Sequence, residues 1–166
     1  MSDKNIVNSV FVSIDNIGII KASIDNRTNI IELEAKKYLF KMTFSMELAL
    51  NVELKKIRTI FICDVEALEK ESGKAVGISG KFEIAFFYTV ENLVNIVGSG
   101  PEFKQNEDLE KLISEITYST ARGIVFTRCQ GTPLKFWLIP ILDDETPRKR
   151  EVVTAKKKTK SKSKNQ

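Results

Sequence analysis

Histidine is absent from the 166 residues of this chain, and cysteine occurs only at Cys63 and Cys129. The first absence removes the Ser-His-Asp triad, the Cys-His dyad and every histidine-containing zinc site. Two cysteines so far apart are a poor start for any other transition-metal site. They also cannot build a disulfide framework, and neither stands in a CxxC. Both therefore read as small buried hydrophobes in a protein of a reducing, cytoplasmic compartment. Long apolar runs are lacking too: none approaches the ~20 residues a membrane helix needs, and Met1 to Asn8 has no apolar core of a secretory signal. No membrane insertion is expected. The phosphate-binding glycine motifs are fragments. Gly77-Ile78-Ser79-Gly80-Lys81 is too short, with Phe82 where Ser or Thr is needed, and Gly98-Ser99-Gly100 lacks the rest of a dinucleotide fingerprint. Asn26-Arg27-Thr28 matches a glycosylation sequon, which counts only on a secretory route. No cofactor, no metal and no enzymatic activity are expected.

What is present is the composition of a soluble folded protein, 42% hydrophobic and 29% charged, of a length that suits one domain. The net charge of +4 is unevenly placed. Residues 147–166 hold nine basic residues against the single acid Glu151, a local charge of +8, which leaves −4 for residues 1–146. The expected organisation is therefore a mildly acidic folded domain, 1–146, and a disordered basic tail, 147–166, too poor in apolar side chains to offset the entropy of ordering. Lys156, Lys157, Lys158 and Lys160 are the candidate partner-binding residues of that tail. A polycation attracts an acidic protein surface or nucleic acid, and the bland alternative is a solubilising tail. A nuclear localisation signal has the same look, without other features to support it. Nucleic-acid binding through the tail would fall steeply with salt.

Periodicity supplies the fold. From Tyr38 to Leu54 every even position is apolar and most odd ones are polar, a period of two that argues for a long strand with one wet face, or two strands joined by a bulge. A second run, Ile57 to Ala67, and a third, Ile78 to Val90, flank the charged, glycine-containing stretch Glu69 to Lys74, which reads as a hairpin turn; these two strands are expected to pair antiparallel. Upstream, Val10 to Ile24 and Asn29 to Leu33 give a first strand of uncertain limits. The carboxylates Glu32, Glu34, Glu47 and Glu53 read as an alternating solvated face rather than a catalytic pair. After the breaker Gly98-Ser99-Gly100-Pro101 the period changes. Asn106 is placed to cap a helix from about Glu107 to about Arg128, whose main apolar face is Leu109, Leu112, Ile113, Ile116, Thr120 and Ile124. A second apolar edge, Tyr118, Ala121 and Val125, suggests packing on two sides and an oligomer. Arg122, set in an apolar helix, reads as a salt-bridged structural residue. Leu134 to Leu142 is apolar but carries Pro140, and Pro133 precedes it, so it is not a helix.

The stretch Tyr118 to Leu142 resembles the end of the long helix and the crossover loop of the SecB-type export chaperones, through Ala121-Arg122, Gly131-Thr132 and Pro140. Phe82 to Gly98 resembles the last strand of that family and its exit. The resemblance implies an α+β fold: a four-stranded antiparallel sheet packed on one long helix, with subunits pairing and the dimers joining into a dimer of dimers. It implies an ATP-independent holding chaperone for unfolded polypeptide, with an export motor ATPase as a partner. The expected client groove is walled by Leu134, Phe136, Trp137, Leu138, Ile139 and Ile141, over Ile124 and the aromatic strand position Phe86; Met42 and Met46 add adaptable surface. Against this stands the general rule that Phe and Trp at strand or loop spacing are core. The chain departs from the export pattern by lacking a second helix after the loop and by its basic end. That departure leaves room for a relative dedicated to one client, such as an antitoxin.

Overall fold

The computed structural model describes residues 10–28, 30, 33, 37–141 and 150–152. Four long strands, β1 (Val12–Asn26), β2 (Tyr38–Asn51), β3 (Lys56–Glu69) and β4 (Ala75–Val90), are followed by a short helix α1 (Leu93–Val97), a 3-10 turn at Gly100–Glu102 and the long helix α2 (Glu107–Cys129). The four strands form one antiparallel sheet in the order β1-β4-β3-β2, backed on one face by α2. The antiparallel β3–β4 hairpin is as expected, and Gly73, at φ 68°, takes the left-handed conformation that its turn requires. The run that begins at Tyr38 stops as a strand at Asn51, short of Leu54. There the Asn51 side chain accepts a hydrogen bond from Leu54 N at 3.0 Å, and Lys55 turns through φ 55°. A local polar turn thus ends the strand although the alternation of residue types runs on.

A fifth strand, β5 (Arg150–Val152), lies parallel to β2 on its free edge. These three residues belong to the segment expected to be a disordered tail; residues 153–166, with Lys156, Lys157, Lys158 and Lys160, lie outside the described residues, as do Glu32 and Glu34. The first strand extends through Asn26 and pairs with β4 along its whole length, with irregularities at Asp15 and Ile20 that mark β-bulges. At the first bulge the Asp15 carboxylate accepts hydrogen bonds from Lys56 Nζ at 2.9 Å and from Thr89 Oγ1 at 2.8 Å. It ties β1, β4 and β3 together, and these bonds hold its carboxyl below the ordinary carboxylate range.

The core lies between the sheet and α2. On β3 the inward positions Ile57, Phe61, Cys63, Val65 and Ala67 are buried, and on β4 so are Ile78, Phe82, Ile84, Phe86, Tyr88 and Val90. Phe44, Phe61 and Tyr118 form an aromatic cluster that joins β2, β3 and α2, with centroids 5.3 to 6.2 Å apart. The polar atoms that enter this core satisfy one another: Thr117 Oγ1 lies 2.8 Å from Tyr88 Oη and 3.0 Å from Thr59 Oγ1, and donates to the Ile113 carbonyl at 2.7 Å.

Helix α2 begins where the sequence puts it. Asn106 Oδ1 accepts from Leu109 N at 2.8 Å, and Glu107, Asp108 and Glu110 occupy the first turn, favourable positions against the positive end of the helix dipole. The two apolar edges exchange their expected roles. Tyr118, Ala121 and Val125 continue the buried stripe of Leu109 and Ile113, whereas Leu112, Ile116, Thr120 and Ile124 form a half-buried flank four residues apart. The reason is the aromatic anchor: Tyr118 packs against both Phe44 and Phe61, which stack on each other, and so turns its own edge onto the sheet.

Candidate functional site

After α2 the chain turns at Gly131, at φ 75°, and continues through turns at residues 131–136 into an extended stretch. Thr132 builds the turn: its hydroxyl donates to the Cys129 carbonyl at 2.7 Å and accepts from Leu134 N at 3.1 Å. Leu134 is fully buried; a Cβ added at Gly80 would stand 3.0 Å from its Cδ1, so the bare backbone of β4 is what admits it. Trp137 stacks on Phe82 with centroids 6.3 Å apart and planes at 20°. Two helix side chains then hold the strap-like backbone: Arg122 Nε donates to the Ile139 carbonyl at 2.7 Å and Tyr118 Oη to the Pro140 carbonyl at 2.8 Å. Arg122 is structural, as expected, but its bond is to a backbone carbonyl rather than to a carboxylate.

These anchors divide the expected groove residues into two sets. Trp137 is only 4% exposed and Leu134 and Ile139 are buried with it, while Phe136 at 52%, Leu138 at 51% and Ile141 at 78% face water. The extended backbone makes this so, since neighbouring side chains point to opposite sides. Phe86 is also buried, beside the Tyr88 ring on the helix side of β4. Leu134, Trp137, Ile139 and Phe86 are therefore corrected from water-facing wall or floor residues to core residues. Ile124 is half-buried on the α2 flank. Lys135 places its ammonium 4.9 Å from the Phe136 ring centroid, which keeps a cation beside the exposed aromatic.

More apolar surface lies elsewhere in the fold. Met42, Met46 and Leu48 on the helix side of β2 are half-buried, and Phe126 on α2 is exposed. Phe11, just before β1, and Ile14, Ile17, Ile19 and Ile20 on it are exposed, apolar surface not singled out from the sequence although its crowding of isoleucines was visible there. Scattered apolar residues on a surface are ordinary, but a long apolar edge strand invites a partner. The opposite, helix-free face of the sheet carries a shallow depression of about 330 Å³ lined by Lys41, Asp64, Glu66 and Lys81 among others, charges of both signs, with Lys81 Nζ 3.7 Å from Asp64 Oδ1. Among the described residues no group of three His, Cys, Asp or Glu is placed to hold a metal ion. No helix among them is long and apolar enough to cross a membrane.

The four-stranded antiparallel sheet with one long helix packed against it resembles the fold of a SecB-like chaperone. A solved structure that shares it is that of the Mycobacterium tuberculosis SecB-like chaperone Rv1957 in complex with a ChAD peptide from the HigA1 antitoxin Rv1956. It matches with a TM-score of 0.53 at 10% sequence identity, over 81% of this chain and 93% of that one. A protein of unknown function from Streptococcus agalactiae is similar at a TM-score of 0.36 and 14% identity, over 74% of this chain and 90% of that one. No family model matches the sequence. No curated protein matches it either.

Proposed function

We propose that this protein is an ATP-independent holding chaperone that binds non-native polypeptide on apolar surface and performs no covalent chemistry. The observation that carries this reading is the crossover after α2, which exposes Phe136, Leu138 and Ile141 while Leu134, Trp137 and Ile139 fasten it to the core. Such a segment presents hydrocarbon to water without being free to collapse on itself, and Pro140 keeps it from acting as a sheet edge. Each client side chain fully covered there contributes about 1.5 to 3 kcal/mol, so a few contacts along one chain give affinity with little sequence preference. The half-buried Met42 and Met46 add adaptable surface. The structural relative bound to an antitoxin peptide supports a peptide client.

The reading includes self-association of cytoplasmic subunits. The exposed isoleucines of β1 support pairing of two copies along that edge, and the Leu112, Ile116 and Ile124 flank with Phe126 supports helix-to-helix packing of two pairs into a dimer of dimers. The test is to add the protein to a refolding, aggregation-prone substrate at low and at high salt while its native mass is measured. Slower aggregation at both salt concentrations is expected. Suppression confined to low salt would transfer the activity to the basic tail, and none at either would refute the reading.

A further inference from the structure

The two edges of the sheet differ. Among the described residues the β1 edge ends the sheet, whereas the fourteen-residue β2 edge is met by β5, with Arg150 opposite Met46, Glu151 opposite Glu47 and Val152 opposite Leu48. Two features make this pairing weak. It is three residues long and, among the described residues, leaves most of β2 unpaired on that side. It is parallel, and so slightly less stable per residue than an antiparallel ladder. Beneath the same edge, on the helix side, lie the half-buried Met42, Phe44, Met46 and Leu48. A weakly held strand thus covers three residues, Met46 to Leu48, of a fourteen-residue edge that among the described residues is otherwise open.

We propose that β5 is a resident strap on a strand-docking site, and that an extended client segment pairing with the β2 edge must displace it. The inference rests on the client-binding reading and deepens it, by naming the sheet edge that receives client backbone and the segment that competes for it. The fitting partner is an extended peptide longer than three residues and free of proline. It carries apolar residues opposite Phe44, Met46 and Leu48 and a neutral or basic residue opposite Glu47. Main-chain hydrogen bonds along the open part of β2 then exceed those that β5 gives up, while apolar contact on the helix side sets the preference. Because the competent state is the one with β5 released, the strap lowers apparent client affinity by the fraction of chains in which it is closed.

The test uses the full chain and Val152→Pro, which removes a strand donor without altering the charge of the tail. Hydrogen exchange without client should be faster at Met46 to Leu48 in the variant. Its affinity for a permanently unfolded probe, reduced and carboxymethylated α-lactalbumin, should rise about fivefold. Full-chain replacement of Lys156, Lys157, Lys158 and Lys160 by serine should leave exchange at Met46 to Leu48 as it is. If Val152→Pro binds the probe no more tightly than the full chain, or exchanges no faster, the strap is refuted with the chaperone reading intact. If neither protein binds the probe, the chaperone reading fails and the strap with it.

Discussion

Arg122 Nε donates to the Ile139 carbonyl at 2.7 Å, so that the middle of the long helix holds the far end of the crossover. A hydrogen bond to a charged donor contributes about 1.5 to 3 kcal/mol, and a bare hydrocarbon in its place leaves the carbonyl without that donor. Arg122→Met is expected to lower stability by about that amount and to shift Trp137 emission to the red, since Trp137 lies two residues from the bond. Arg122→Lys should fall between the two, because the ammonium keeps the charge but loses the planar fork. As Trp137 is the sole tryptophan, its emission reports this segment alone. Identical spectra and melting curves for Arg122→Met and the parent protein would remove the role assigned to this bond.

The division of the crossover into anchors and exposed residues separates stability from binding. Trp137→Ala removes a buried ring that stacks on Phe82 and should cost about 3 to 5 kcal/mol of stability. Replacing Phe136, Leu138 and Ile141 together by serine should change stability by less than about 1 kcal/mol, as surface substitutions do, yet weaken binding of an unfolded probe by about tenfold or more. Equilibrium urea unfolding and a probe titration distinguish the two effects. A triple variant that binds as well as the parent would mean that clients do not use this surface.

Much of this arrangement was legible because local chemistry and tertiary environment agree. The alternation in β2, β3 and β4, the glycine turn at Gly73 and the Asn106 cap each specify one conformation with little help from elsewhere. Strand order was not legible: nothing local in β1 says that its partner is β4 rather than β2, since pairing is decided by how the whole sheet closes over the core. The orientation of α2 was misjudged for the same kind of reason, because the single residue Tyr118, packed on two rings from β2 and β3, outweighs the count of apolar residues on each face. In the crossover the period of two from Phe136 to Ile139 was itself the signal that half the set would face inward. Bulk hydrophobicity concealed it. The pairing of Arg150–Val152 with β2 was invisible because the charge of the surrounding tail dominates any local reading.

The hydroxyl cluster of Thr117, Tyr88 and Thr59 predicts strong non-additivity. Thr117→Val leaves two buried hydroxyls without their shared partner and should cost about 1 to 3 kcal/mol. Once Tyr88→Phe has removed one of those hydroxyls, the further loss from Thr117→Val should be smaller. A double-mutant cycle by urea unfolding measures the coupling, expected to lie between about 0.5 and 3 kcal/mol. A coupling indistinguishable from zero would show that the three groups do not act as a unit.

Stability should also fall on the alkaline side, and the buried thiols set where. Burial, with Asp64 and Cys129 adding to it, pushes the Cys63 thiol up to about 12; burial alone pushes Cys129 up to about 11. The Tyr118 phenol is pushed up to about 12 by burial and by Cys63, against the opposing pull of Arg122. In the unfolded chain these groups ionise near 9.0 for the thiols and 10.0 for the phenol. A native pKa above the unfolded one means that the native state holds more protons between the two values, so stability is fully present below the unfolded pKa and is lost as pH rises through the native one. Melting temperature should therefore decline from about pH 9 upward, through both thiols up to about pH 11, and most steeply between about pH 10 and 11, where the Tyr118 phenol adds to them. In Cys63→Ala with Cys129→Ala the protein starts less stable, but the decline over that interval should be shallower. Parallel curves for the variant and the parent between pH 9 and 11 would show that the thiols do not cause it. In the native protein at pH 8 neither thiol should react with a disulfide reagent faster than the fold opens, because the thiolate is the reactive form and both sulfurs are buried.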